Sequence, residues 1–220
     1  MPNELSDAAP KRHHVIISGT GRTGTTFLVQ LLTELGLDTG FTDPYERFRE
    51  DRNAGMEWNR ENIPAAPYIL KSPALCDELG RILKEEKSFV IDHALIPIRD
   101  LYSAAESRRV VARKGVSHFL MSRPFLGVKK WGIRRPEEQE SVLAQYFYQL
   151  LYTLAEHNIP LTLLYFPRLA KDPEYLFEKI NFLLKGASYE KFVQAFQKIS
   201  RPDLIHDFAA ATGSKSNGSK

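Results

Sequence analysis

The sequence predicts an α/β protein, a single three-layer domain built on a central, mostly parallel sheet. Three observations predict it. Short apolar runs rich in β-branched residues alternate along the chain with longer segments of helical period. The first of these runs leads directly into a glycine-rich turn and then a helical pattern. Across all 220 residues there is no internal repeat and no break in composition that would divide the chain in two.

The elements follow in order. Residues 1–13 (MPNELSDAAPKRH) are polar, are expected to be flexible, and lack the apolar segment of a signal peptide. Strands are expected at His14 to Ser18, Pro67 to Leu70, Ala94 to Ile98 and Leu161 to Phe166, each short enough for a buried strand. His93 would begin the third of these and so lie at the end of the sheet away from Arg99. Helical patterns cover Thr25 to Leu35, Ala74 to Lys87, Leu101 to Arg113, Pro136 to His157 and Pro173 to Leu184. The last opens on Asp172 as N-cap with Pro173 in the first helical position. Thr39 to Pro64 is polar, aromatic and without period, an insertion suited to facing a substrate. The domain spans 14–210, and residues 211–220 (ATGSKSNGSK) are expected to be disordered.

Composition excludes several classes. The single cysteine, Cys76, rules out an internal disulfide framework and a cysteine-only zinc site. The longest apolar-rich run, Ile159 to Pro167, is about half the roughly 20 residues a membrane span needs. A cytoplasmic protein is expected. The net charge of +3 is unevenly spread: Ser107 to Arg135 holds nine of the 30 Lys and Arg and no acidic residue, leaving 21 basic against 27 acidic residues elsewhere. Such a block attracts anions.

Gly19 to Thr26, GTGRTGTT, has the glycine spacing of a Walker A phosphate-binding loop, with Thr26 at the hydroxyl position and Thr25 where the lysine belongs. The surrounding pattern is therefore that of a P-loop NTPase-like sheet without its lysine. Ligands of open α/β sheets bind beyond the carboxyl ends of the strands, and here those ends are basic: Arg22 in the loop, then Lys71, Arg99 and Arg168. A magnesium-dependent NTPase wants a carboxylate there, and only Asp100 offers one. The set suits an anion neutralised by Arg, Lys, hydroxyls and backbone N–H groups, with no metal site expected.

Taken in order, GTGRTGTTFL, YILKSPAL, ALIPIRDLYSAAESRR and LLYFPRLAKDPEYLFEKINFLL resemble the sulfotransferases that use 3′-phosphoadenosine 5′-phosphosulfate (PAPS). The resemblance covers roughly residues 14 to 186 and points to the bacterial and carbohydrate-modifying branches more than the cytosolic one. It implies that Gly21, Arg22, Thr23, Gly24, Thr25 and Thr26 wrap the 5′-phosphosulfate, that Arg99 and Ser107 bind the 3′-phosphate, and that Lys71 is the lysine of a K-[ST]-P segment. Arg22 stands where cytosolic members usually carry lysine, and their C-terminal basic glycine motif is absent.

The chemistry fits this residue set. Transfer of an SO3 group loads negative charge onto the departing phosphate, and fixed cations and N–H donors aimed at that oxygen lower the barrier; one such donor is worth about 2.7–4 kcal/mol in the best-studied oxyanion hole. Arg22 and Lys71 are the expected catalytic cations. The acceptor, a hydroxyl or amine of a small molecule or carbohydrate, also needs a base. In the carbohydrate-type members a glutamate between the first helix and the K-[ST]-P segment serves, and the corresponding region here holds Glu46, the first choice, then Asp43, and Glu57; His118, inside the basic segment, is a candidate from outside that region. Phe41, Tyr45, Phe48 and Trp58 are candidates to stack on adenine or acceptor. Two other readings remain: a kinase or NTPase with a degenerate loop, and a non-catalytic module whose basic segment holds a polyanion. Nucleic acid is not the expected partner.

Overall fold

A computed structural model of the chain describes residues 10–46, 48–49, 54–119 and 138–204. The first nine residues, most of the basic block (120–135) and the C-terminal tail lie outside the described residues, as do the side chains of Phe48 and His118.

Four parallel strands form one sheet: β1 (Arg12–Ile17), β4 (Ile69–Lys71), β5 (Phe89–Ile98) and β6 (Leu161–Tyr165), in the order β4-β1-β5-β6. The polar insertion contributes a separate two-stranded antiparallel ribbon, β2 (Phe48–Arg49) with β3 (Ala54–Gly55), and a 3₁₀ turn at Arg60–Ala65. The register sets Val15 against Ile69 and Ile16 against Ala94, so alternate residues of each strand feed opposite layers. Val15, Ile17, Leu95 and Leu164 meet α1 (Thr25–Glu34), α5 (Pro173–Ile180) and α6 (Tyr189–Ile199). Ile16, Leu70, Ala94 and Ile96 meet α2 (Leu75–Glu85) and α4 (Gln139–Glu156). Helix α3 (Leu101–Phe119) packs against α4. This is the predicted three-layer α/β sandwich.

Three expectations need correction. Strand β1 begins at Arg12, not His14, so Arg12 and His13 pair with β5 instead of belonging to a flexible N-terminus. Strand β5 begins at Phe89, not Ala94, so His93 sits mid-strand. Asp92 and His93 interrupt the apolar run, but His13 Nδ1 lies 2.6 Å from the Asp92 carboxylate and His93 Nε2 lies 2.8 Å from Thr162 Oγ1. With those partners the polar pair can remain in the sheet. The last predicted helix stops at Ile180 and passes into a 3₁₀ turn at Asn181–Leu183. Helix α6 was not anticipated, although Ser188 caps it through Lys191 N and Phe192, Ala195, Phe196 and Ile199 line its buried face at helical spacing. The Asp172 cap is as expected: its carboxylate accepts from Tyr175 N at 3.0 Å. No described helix is long and apolar enough to cross a membrane.

One buried histidine is expected to make the fold acid-sensitive. His14 stacks on Phe89 with ring centroids 4.6 Å apart, and its Nδ1 lies 2.7 Å from the Pro67 carbonyl, while Nε2 is buried without a partner among the described residues. Burial holds its pKa below the ordinary 6.5, outweighing the opposing Pro67 hydrogen bond. A depressed folded pKa contributes stability that is complete above the unfolded value and is lost as pH falls below about 6.5 toward the folded value. His14→Asn should therefore flatten the fall of unfolding free energy between pH 6.5 and 5, measured by urea titration; an identical slope in the variant would contradict this role.

Candidate anion-binding site

The turn after β1 is fixed from both sides. Ser18 N donates to Leu95 O at 3.2 Å and Ser18 Oγ to Ser72 O at 3.0 Å, tying the loop to the strands that flank it. Gly21 (φ +70°), Arg22 (+61°) and Gly24 (+89°) are left-handed, a backbone in which successive N–H groups can form an anion-binding concavity. Gly24 then caps α1, whose first N–H groups have no intrahelical acceptor. Beside them the Thr23 hydroxyl is buried and without a partner among the described residues.

Strand order decides what surrounds this loop. In the order β4-β1-β5-β6 the connection leaving β1 runs toward β4 and the one leaving β5 runs toward β6, so the loops after β1 and β5 flank the crevice where such sheets bind ligands. From the β5 side, Arg99 Nη1 donates to Arg22 O at 3.3 Å, and Arg22 Nε donates to Ser107 Oγ at 3.0 Å. Arg108, the next residue of α3, donates through Nη2 to Thr20 O. From the β4 side, the Lys71 ammonium donates to Thr26 Oγ1 at 3.0 Å, Gly55 O at 2.6 Å and Glu57 Oε1 at 3.1 Å. The Lys71 side chain is 1% exposed and that of Glu57 is 42% exposed.

Sequence candidates distant along the chain thus meet on the loop in two hydrogen-bonded groups, Arg99, Arg22 and Ser107 on the β5 side and Lys71 with Thr26 on the β4 side. Asp43 and Glu46 serve their own turn, Asp43 Oδ1 accepting from Tyr45 N at 2.7 Å and Glu46 Oε2 from Thr42 N at 3.0 Å. Of the three carboxylates weighed, it is Glu57 that touches Lys71. The ribbon brings it there, with Gly55 O on the ammonium and Trp58 N donating to Lys71 O at 2.9 Å. Phe41 is buried in the core and Trp58 lies beside it, whereas Tyr45 is exposed. Arg168 leaves the strand end to pair with Asp172 at 2.8 Å and to cover the Tyr175 ring. Asp100 accepts from Ser103 N at 2.8 Å, capping α3. Arg108 was not singled out in the sequence, where its one signal is adjacency to Ser107.

The electrostatics favour an anion. Burial pulls the Lys71 pKa down, with Glu57 opposing and Arg22 adding to the shift. Burial, then Arg99, lowers Arg22. Burial lowers Arg108 to about 10, opposed by Cys76, and Arg22 contributes to the lowering. Like charges held together at the edge of the solvent are relieved by a ligand of opposite sign.

No family model matches the chain, and no curated protein sequence does. Among solved structures it is similar to the sulfotransferase domain from the Synechococcus PCC 7002 olefin synthase, at 13% identity and a TM-score of 0.46, over 91% of this chain and 85% of that one.

Proposed function

We propose that the chain is a sulfotransferase that moves a sulfuryl group from PAPS to a hydroxyl or amine of a small-molecule or carbohydrate acceptor. The observation that carries this reading is the Lys71 ammonium group, which reaches the loop from the neighbouring strand and touches Thr26, the hydroxyl position of a loop that has lost its own lysine. The cation is thus present, supplied from β4. The donor's phosphosulfate has a fitting cradle in the amides of Gly21 to Thr26 and the unpartnered Thr23 hydroxyl. Its 3′-phosphate would be read by Arg99 and Ser107.

In the transfer, the bond from sulfur to the donor's phosphate oxygen breaks as the bond to the acceptor oxygen or nitrogen forms. Lys71 and Arg22 meet the charge that grows on the departing phosphate. Glu57 takes the acceptor's proton, and its contact with Lys71 links the base to the anion cradle through one ammonium group. The products are adenosine 3′,5′-bisphosphate and the sulfated acceptor.

Thermal unfolding tests the reading. Adenosine 3′,5′-bisphosphate in EDTA, at about 100 times its dissociation constant, should stabilise the protein by about 2.7 kcal/mol. For a chain of this size that is a rise of about 5–10 °C in Tm. A rise with ATP and magnesium alone would favour a kinase or NTPase. Response to neither nucleotide, with steeply salt-dependent polyanion binding, would favour the binding module. Glu57→Gln should keep the nucleotide-induced rise and lose transfer of labelled sulfate from PAPS; full transfer in this variant would return the base to Glu46, Asp43 or His118.

A further inference from the structure

We propose that Arg108 is a positioning residue that orients the phosphate-binding loop from behind, by holding the carbonyl of Thr20. This inference rests on the donor-binding role proposed for the loop.

The argument starts from peptide geometry. A trans peptide is planar, with its C=O and N–H directed to opposite sides, so fixing one fixes the other. The cis peptide bond among the described residues is Phe166–Pro167, and the Thr20–Gly21 peptide is trans. Arg108 Nη2 donates to Thr20 O, so the Gly21 N–H is turned away from α3. Arg99 does the same one step further on, donating to Arg22 O at 3.3 Å and thereby directing the Thr23 N–H away from itself. Two guanidinium groups from the segment after β5 thus grip two alternate carbonyls of the loop, and the amides of the same two peptides, those of Gly21 and Thr23, are each directed away from the guanidinium that holds their carbonyl. Loop amides can bind an anion only when turned toward it, and a peptide free to flip spends part of its time with its oxygen facing the ligand.

Gly21 is part of the same arrangement. A Cβ there would stand 3.1 Å from Arg108 Nη2, in a backbone at φ +70°. The guanidinium occupies the space a side chain would need. Arg108 is also joined to the nucleotide-reading residues by sequence, since the preceding Ser107 accepts from Arg22. One turn of α3 therefore reaches the loop twice, at the Arg22 side chain and at the Thr20 backbone. Arg108 needs no contact with the ligand to matter; it sets the direction of a group that makes one.

The test compares Arg108→Met with Arg108→Lys, in the full chain, using adenosine 5′-monophosphate and adenosine 3′,5′-bisphosphate as probes by calorimetry. Methionine keeps length and apolar packing without a donor, whereas lysine restores a donor for Thr20 O. Arg108→Met should weaken both nucleotides by the same factor, at least tenfold (1.4 kcal/mol), because both present a 5′-phosphate to the loop. Arg99→Ala, which removes the proposed reader of the 3′-phosphate as well as the grip on Arg22 O, should instead weaken the bisphosphate more than the monophosphate. Arg108→Lys should recover most of the affinity. In the ligand-free protein the Gly21 amide nitrogen resonance should move in Arg108→Met and return toward its original position in Arg108→Lys, a signature that general loosening of α3 does not produce. If the wild-type protein binds neither nucleotide, the donor-binding reading falls and this inference with it. If wild type binds both and Arg108→Met binds them equally well, the inference alone is overturned. An unmoved Gly21 resonance in Arg108→Met overturns it as well.

Discussion

Lys71→Met is expected to reduce sulfuryl transfer at saturating donor by about 10²–10³, the loss that follows removal of one preorganised donor from an oxyanion hole. The reasoning is that a buried ammonium group is an expensive component to keep. Burial works against its charge, and three hydrogen bonds, to Thr26, Gly55 and Glu57, hold it in place. Methionine fills similar volume without a charge. Replacing a desolvated ion by an apolar isostere is often near neutral for folding, and the abandoned Glu57 is exposed enough for water to solvate it. Stability should therefore change little while turnover collapses. The measurement is single-turnover transfer from labelled PAPS alongside urea unfolding of both proteins. Turnover within threefold of wild type would remove Lys71 from the chemistry.

Gly24→Ala is expected to have the largest effect on stability. The residue sits at φ +89° at the start of α1, where a non-glycine backbone costs roughly 1–2 kcal/mol. Its new Cβ would lie 2.9 Å from Phe166 Cδ2 and 3.1 Å from Leu169 Cδ1, and forcing a methyl into such packing adds about 1–3 kcal/mol. Together the destabilisation is about 2–5 kcal/mol, a large share of what holds a domain of this size together. Gly36→Ala separates the two causes. Gly36 has a similar backbone, φ +78°, but nothing within 4 Å of the added carbon, so it should lose the conformational part alone. Equal losses at both positions in denaturant titrations would show that the contact with Phe166 and Leu169 does not matter.

Much of the fold was legible because its signals are local. The four sheet strands are short runs of β-branched and apolar residues, Asp172-Pro173 announces a helix start in two residues, and the glycine spacing of the first turn stands out without any partner. Expectations failed where a long-range partner overrides a local pattern. The third strand is expected to start only at Ala94, with His93 at its beginning, yet side chains of β1 and β6 let Asp92 and His93 sit inside a ten-residue strand. Helix α6 is a different case: its i, i+3, i+4, i+7 pattern at Phe192, Ala195, Phe196 and Ile199 is local and present in the sequence.

The candidate site divides the same way. Arg22, Lys71, Arg99 and Ser107 could be named from the sequence because each lies just past a strand or one to two turns into the following helix, and the parallel order sends those positions to one edge. The carboxylate beside Lys71 could not be chosen. Asp43, Glu46 and Glu57 occupy one irregular insertion, and the path of that insertion is set by a two-residue ribbon and a backbone hydrogen bond to Lys71 that no periodicity encodes.

By itself the sequence determined the class of fold, a glycine-rich turn with the spacing of a phosphate-binding loop and no lysine, and a surplus of cations at the strand ends, because period, spacing and charge are properties of neighbours along the chain. Only the tertiary structure decided which cation serves the loop, which carboxylate faces it, and that Arg108 grips it from behind. Those are contacts between residues 14 to 88 positions apart, fixed by the order β4-β1-β5 rather than by any local pattern.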